Sequence, residues 1–299
     1  HQTGQGGAVC TSFPCQTGTQ FFSGSNPLLQ PETAMTRTAG IVYSPGFVLG
    51  RLDVSVDWYN IRINNTISGD SIGSILNDCY VLGIASRCST SLFRRDPTTG
   101  VIDYALIGGK NAGWEQAKGW DLGVHYVVPP TKFGTFAVTW NTTYVSQLNH
   151  NPDNQPDTPI EADNGWGGNF RIRSNASLDW DMGPFGATWT THYYSSMKEL
   201  CSWDTGNPKQ NIPAGGPECN MPSYIYNDVV HNVNQQGASV FHDMQVRYRL
   251  PWKATASFGV QNVFDHWSGP MYSDPNSQYA YYGGFPIGRF YYLQYNQKF

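Results

Sequence analysis

Polar and apolar residues alternate with a period of two along most of the chain. Between 51 and 63, Leu52, Val54, Val56 and Trp58 alternate with Asp53, Ser55 and Asp57. Between 167 and 181, Phe170, Ile172, Ala176, Leu178 and Trp180 alternate with Arg171, Arg173, Asn175, Ser177, Asp179 and Asp181. Between 239 and 250, His242, Met244, Val246, Tyr248 and Leu250 oppose Phe241, Asp243, Gln245, Arg247 and Arg249. A strand sends successive side chains to opposite faces, so this period predicts strands with the charge on one face. Nine such segments are legible, at 33–43, 51–63, 101–128, 135–147, 167–181, 186–197, 239–250, 254–264 and 287–299. The third is long enough for two strands, or for one with a bulge near Asn111-Ala112-Gly113.

The connections alternate between short and long. Ser44-Pro45-Gly46, Pro129-Pro130-Thr131, Gly183-Pro184-Phe185-Gly186 and Pro251-Trp252 are short turns, whereas 1–30, 65–100, 148–166, 198–236 and 265–286 are long loops. Strands of about 11 to 15 residues exceed the 5 or 6 usual in soluble sandwiches. With one-sided short turns they predict an all-β, antiparallel up-and-down membrane barrel. Trp58, Tyr59, Tyr126, Trp180, Trp252 and Tyr295 lie near strand ends, where interfacial aromatic girdles sit. Residues 71–83 are the exception. There Ile72, Ile75, Leu76 and Tyr80 have near-helical spacing, predicting a short loop helix that packs its own apolar face.

Composition sharpens this reading. Only 13% of the 299 residues are charged and 14% are aromatic, about half the usual charged share for a soluble domain; yet mean hydropathy is −0.42. Few charges in a polar, Tyr- and Trp-rich chain suit strands that are half lipid-facing and half lumen-facing. A net charge of −4 argues against nucleic acid as a partner. The chain begins at His1 without an export signal, so the expectation is a mature, truncated or cleaved segment.

Six cysteines form three close pairs, Cys10 with Cys15, Cys79 with Cys88 and Cys201 with Cys219, each in a Gly/Pro/Asn-rich long loop. Local disulfides in an oxidising compartment are the economical reading. Zinc binding is the competing one, disfavoured by the lack of CxxC spacing or a nearby His.

Four stretches carry a family resemblance. Ser25-Asn26-Pro27-Leu28-Leu29-Gln30-Pro31-Glu32-Thr33 leads into a strand; Asn111 runs to Gly119-Trp120-Asp121-Leu122; Phe258-Gly259-Val260-Gln261-Asn262-Val263-Phe264-Asp265 follows; and Pro286-Ile287-Gly288-Arg289-Phe290-Tyr291 runs to Phe299. In this order the chain resembles the C-terminal barrel portion of a TonB-dependent outer-membrane receptor. It departs from the family pattern at Trp120, which precedes the acidic position, and at Val263, which stands where Leu is usual. The resemblance implies about the last nine strands of a 22-stranded plugged barrel. Residues 1–32 would be an extracellular loop and 33–299 barrel strands and loops, with the plug domain outside this chain. The implied location is the bacterial outer membrane, with long loops extracellular and the C-terminus periplasmic. Phe299 would be the assembly signal.

The function implied is energy-coupled uptake of a scarce, bulky ligand: a siderophore, oligosaccharide or peptide. A passive pore or adhesin barrel is the alternative, and a secreted carbohydrate-active sandwich enzyme a third. The partners implied are the remaining N-terminal strands and plug, the TonB energy-coupling complex acting through the plug, lipid and lipopolysaccharide, and an unidentified imported ligand. No cofactor or metal is expected. His192, His242, Asp243 and Asp179 invite an acid–base reading, but they sit more simply as ordinary strand residues, so no catalytic residue is assigned. Asp53, Asp57, Asp121, Arg171, Arg173, Asp179, Arg247 and Arg249 are expected to face the plug as an ion-pair lattice. The loop aromatics Trp203, Trp267, Tyr272, Tyr281 and Tyr282 are candidates for ligand stacking.

Overall fold

A computed structural model describes residues 20–24, 29–152, 160–201, 219–226, 229–271 and 288–298. Nine long strands dominate it: β1 (Thr33–Tyr43), β2 (Arg51–Asn64), β3 (Trp114–Val127), β4 (Thr135–Asn151), β5 (Ile172–Met182), β6 (Phe185–Tyr194), β7 (Ser239–Leu250), β8 (Ala254–Gln261) and β9 (Phe290–Gln297). They hydrogen-bond in chain order from β1 to β9, and a two-residue strand, Glu161–Ala162, adds to β4. Every pairing from β4 through β9 is antiparallel. This is an up-and-down stretch of β-barrel.

Register turns the sequence alternation into two continuous faces. One row runs Val138, Leu178, Trp189, Met244, Val260, Tyr291 across β4 to β9; the next runs Phe136, Trp180, Ala187, Val246, Phe258, Leu293. The opposite face carries Ala137, Asp179, Thr188, Gln245, Gly259, Tyr292 and then Thr135, Asp181, Gly186, Arg247, Ser257, Gln294. The alternation read in the fifth and seventh segments follows these rows.

The chain divides into two units by contact. The first comprises His1–Ala34, Ile63–Glu115 and Asn151–Thr158, and the second the rest. In the first, the segment expected at 101–128 is two strands. Ile102–Asn111 pairs with Gln20–Gly24, Ile67–Gly69 and Phe93–Arg95 in a small sheet of its own, and only Trp114–Val127 joins the barrel sheet. The break falls at Gly113, whose φ of +70° is open to glycine; a Cβ there would strike the Asn151 carbonyl. Helix α1 (Ile72–Tyr80) forms as expected, capped by the Ser71 hydroxyl, which accepts from the Ser74 N–H at 3.1 Å. Ile75 and Cys79 bury against Phe93, with Ile72, Leu76 and Leu92 around them, while Tyr80 stays exposed.

In the second unit, the stretch expected to be loop at 198–236 holds a three-stranded sheet, Met197–Leu200, Val229–Gln236 and Met221–Tyr226. The strand expected to run to 197 therefore ends at Tyr194, and the one expected from 167 begins at Ile172. These differences share one cause: period-two alternation does not say which sheet a strand joins. Phe170, Met197 and Phe241 form the buried cluster of this unit, with Tyr194 and Met271 against it. Asn262, in the motif that carried the third part of the resemblance, ends β8 with φ +50°. Its side chain accepts from the His266 N–H at 2.8 Å and donates to the His266 carbonyl at 2.9 Å.

Candidate functional site

The polar face of the second unit gathers charge at its short-turn end. Arg247 donates to Asp181 at 2.8 Å and to the Thr188 hydroxyl at 2.8 Å, and lies 3.7 Å from Asp179. Arg249 donates to Asp181 at 2.6 Å, and Thr188 donates to Asp179. Four residues with two charges of each sign thus form one network, with Asp181 the member that the sequence reading left out. Asp53 accepts from Ser44 and Arg51, and Asp121 accepts from Thr143 at 2.6 Å. Asp57 lies over Gly40, where a Cβ would collide with its carboxylate.

Midway along the same face, His192 lies between Asn175 and the Asp243 carboxylate, its Nε2 3.1 Å from Oδ2. The other oxygen of Asp243 accepts from the Asn262 N–H at 2.9 Å. Both Asp243 oxygens are therefore engaged, which fits a structural role. His242 is on the apolar face, its ring tilted against Trp189 and edge to face with Phe264, and it is bonded to Thr191. Among the described residues, no group of three His, Cys, Asp or Glu side chains is placed to hold a metal ion.

Toward the long-loop end the two remaining candidates diverge. Arg173 lies over the Phe170 ring and donates to the Gly168 carbonyl, beside a cavity of about 240 Å3. Among the described residues Arg171 bonds through its Nε alone, to the Asn164 carbonyl at 3.2 Å, and it lines a second cleft of about 260 Å3 with Trp166, Lys198, Tyr224 and Gln235. There the Lys198 ammonium is 4.3 Å from the Tyr224 ring centroid and 5.8 Å from that of Trp166, and it donates to the Tyr224 hydroxyl at 3.1 Å. Sequence reasoning missed this cleft because its residues come from three separated segments. The Gly165-Trp166-Gly167-Gly168 run, an aromatic residue inside a glycine turn, was the available signal.

Two of the cysteine pairs are disulfides: Cys79–Cys88, with Cα atoms 4.9 Å apart, and Cys201–Cys219, at 6.0 Å. In the first unit Arg87, one residue from Cys88, bonds Asp70 at 2.7 Å and Asp78 at 2.9 Å, and Lys110 lies 3.3 Å from Asp78. Cys10, Cys15, Trp203, Tyr272, Tyr281, Tyr282 and Phe299 lie outside the described residues. Trp267 is exposed.

The sequence matches the family described as TonB dependent receptor-like, β-barrel, over residues 2–263. No curated protein matches it. Among solved structures, the outer membrane transporter YddB from Escherichia coli superposes with a TM-score of 0.60 at 12% identity, over 94% of this chain and 34% of that one. The FrpB iron transporter from Neisseria meningitidis (F5-1 variant, apoprotein form) gives 0.55 at 14%, over 93% and 33%. The siderophore receptor PirA from Acinetobacter baumannii gives 0.52 at 15%, over 89% and 32%. At these identities the likeness is one of fold. The chain spans about a third of the length of these structures.

Proposed function

Because the chain belongs to the TonB dependent receptor-like β-barrel family, whose barrels reside in the bacterial outer membrane, we propose that it works in energy-coupled uptake of a scarce, bulky ligand and not in catalysis. The observation that carries this reading is the division of the sheet into one apolar and one polar face, the polar one holding the Asp179, Asp181, Arg247 and Arg249 network. Apolar rows face lipid because unpaired charge is costly in hydrocarbon. A fixed charge network on the other face suits a protein plug, which it can hold without binding ions from solvent. In this reading the long loops are extracellular and the short turns periplasmic. Asp53, Asp57, Asp121, Asp179, Arg247 and Arg249 face the plug, which is pulled through the TonB complex. Arg171 and Arg173 stand nearer the loops, on the side from which cargo arrives, and Trp203, Trp267, Tyr272, Tyr281 and Tyr282 are the aromatic side chains proposed to stack on it. Iron and siderophore uptake by fold relatives makes a chelate one cargo class among three.

The test is uptake by cells carrying the full-length receptor, with and without the energy-coupling protein. Transport is expected to stop when coupling is lost; unchanged uptake would favour a passive pore.

A further inference from the structure

The cleft between residues 164–171, the 197–200 strand and the 221–236 hairpin has a composition that specifies its occupant. Two cations line it, Arg171 and Lys198, and neither has an ion-pair partner among the described residues. The other basic groups near the polar face are neutralised by neighbours: Arg247 and Arg249 by Asp179 and Asp181. Arg173 lies over the Phe170 ring and lines the neighbouring cavity instead of this cleft.

Arg171 uses only Nε on Asn164, so the fork of its guanidinium, the end that accepts a carboxylate in two parallel hydrogen bonds, makes no other bond among the described residues. The walls are rings. Trp166 and Tyr224 meet edge to face with centroids 5.6 Å apart, and the Lys198 ammonium sits against both. The Gln235 side-chain amide lines the cleft without a bond to another described residue, leaving a donor and an acceptor for hydroxyl groups. At about 260 Å3 the space is below the roughly 300–1,000 Å3 of drug-sized sites, and suits one six-membered ring with its substituents.

From this we infer that the cleft holds a six-membered ring bearing a carboxylate, whether the acidic sugar residue of an oligosaccharide or an aryl carboxylate, with Arg171 and Lys198 on the anion and the two aromatic side chains against the ring. The inference rests on the uptake reading and names the chemistry of the cargo at this point.

Calorimetric titration of the full-length receptor in detergent tests it, with four probes: trigalacturonate, its neutral trigalactose counterpart, benzoate and benzamide. At least one acidic probe is expected to bind ten-fold or more tightly than its neutral partner and to weaken as salt is raised. Arg171→Gln and Lys198→Gln are each expected to weaken that probe at least ten-fold. Lys132→Gln, at a short turn remote in sequence, should change nothing. Binding of trigalacturonate alone identifies the sugar source and of benzoate alone the aryl source. Tyr224→Leu, which removes a wall without touching a charge, should weaken acidic and neutral probes together and covers the case in which an Arg171 variant fails to fold. The inference falls if no acidic probe binds, if neutral partners bind as well, or if both charge variants bind like the parent. Should binding fail while coupling-dependent uptake persists, the cleft assignment is wrong and the transport reading stands; should a probe bind as expected while uptake ignores the coupling protein, the reverse holds.

Discussion

Arg247 and Asp181 are joined across a strand that belongs to neither. Arg247 is on β7 and Asp181 on β5, and Gly186 of the intervening β6 is in register with both. The guanidinium passes over the glycine to reach the carboxylate at 2.8 Å. The same device recurs two strands on, where Gln245 of β7 donates to the Tyr292 hydroxyl of β9 at 3.0 Å across Gly259 of β8. A Cβ at Gly186 would lie 2.7 Å from Asp181 Oδ1 and 2.8 Å from Arg247 Cζ. Gly186→Val is therefore expected to cost about 1 to 3 kcal/mol by overpacking. The loss should be smaller when Arg247 has already been replaced by Gln, because the bridge is then gone. The midpoint of the folded-to-unfolded band shift on heating reads both; additive losses would mean that the glycine does not serve the bridge.

The apolar rows give a second expectation. Val246 sits between Ala187 and Phe258, and Phe258 pairs with Leu293. Arg at Val54, Val56, Ile172, Val246 or Leu293 is expected to cost about 2 to 4 kcal/mol near mid-membrane, and Arg at Ser177, on the opposite face, much less. Equal losses of heat-resistant folded barrel in the two sets would reverse the facing.

How much of this was legible in the sequence depends on the range of the physics. Alternation is local, so Val246 against Arg247 could be assigned to faces without any partner strand. The bridge from Arg247 to Asp181 could not, since it depends on the registers of two neighbouring strands, and Asp181, though placed on the polar face, was left out of the ion-pair lattice for that reason. Helix α1 was legible because its apolar spacing lies within a dozen residues. The sheet joining Ile102–Asn111 to Gln20–Gly24 and the cleft joining Trp166, Lys198 and Tyr224 were not, because each needs contacts between distant segments.

Disulfide mapping provides a third check. Non-reduced peptides are expected to show Cys79 with Cys88, Cys201 with Cys219 and, by the same local logic, Cys10 with Cys15. Replacing Cys79 and Cys88 with Ser should weaken the first unit by about 2 to 4 kcal/mol, because the bond ties α1 to the one-turn 3-10 helix Ala85–Cys88, which presents Arg87 to Asp70 and Asp78. Faster proteolysis between 70 and 100 would report it. A cross-paired pattern would overturn the assignment.

The turn at Asp96 carries a pH dependence. Its carboxylate accepts from the Thr99 N–H at 2.7 Å, the Thr99 hydroxyl at 3.0 Å and the Thr98 N–H at 2.9 Å, with the Thr99 N–H the chief cause of a pKa below the usual carboxylate value. Since the folded pKa is depressed, the stabilisation is present above the unfolded pKa of about 3.9 and is lost as pH falls through the folded value. Amide protection at Gly100 and Val101, taken relative to the intrinsic exchange rate at each pH, should thus fall on acidification below about pH 4 in the parent. In Asp96→Ala the protection should already be low at neutral pH. An acid response that survives the substitution would place the titrating group elsewhere.

The edges of the sheet yield the last expectation. β1 and β9 stand at opposite ends of the nine-strand order and do not pair with each other among the described residues. β1 is exposed along its whole length, and β9 is exposed at all but two positions. In hydrocarbon each unpaired backbone group costs several kcal/mol, so both edges must be covered by strands beyond these nine. If the closed object has 22 strands, about thirteen more complete it. Cysteine pairs placed across a hypothetical β1–β9 seam, one residue at Thr38 or Ile41 and the other at Leu293 or Tyr295, should therefore fail to cross-link in the full-length protein in its native membrane. Each single cysteine should instead react with a partner placed on a strand outside residues 33–297. An efficient cross-link between Ile41 and Leu293 would show a small closed barrel, and would overturn the strand count together with the plugged architecture proposed from it.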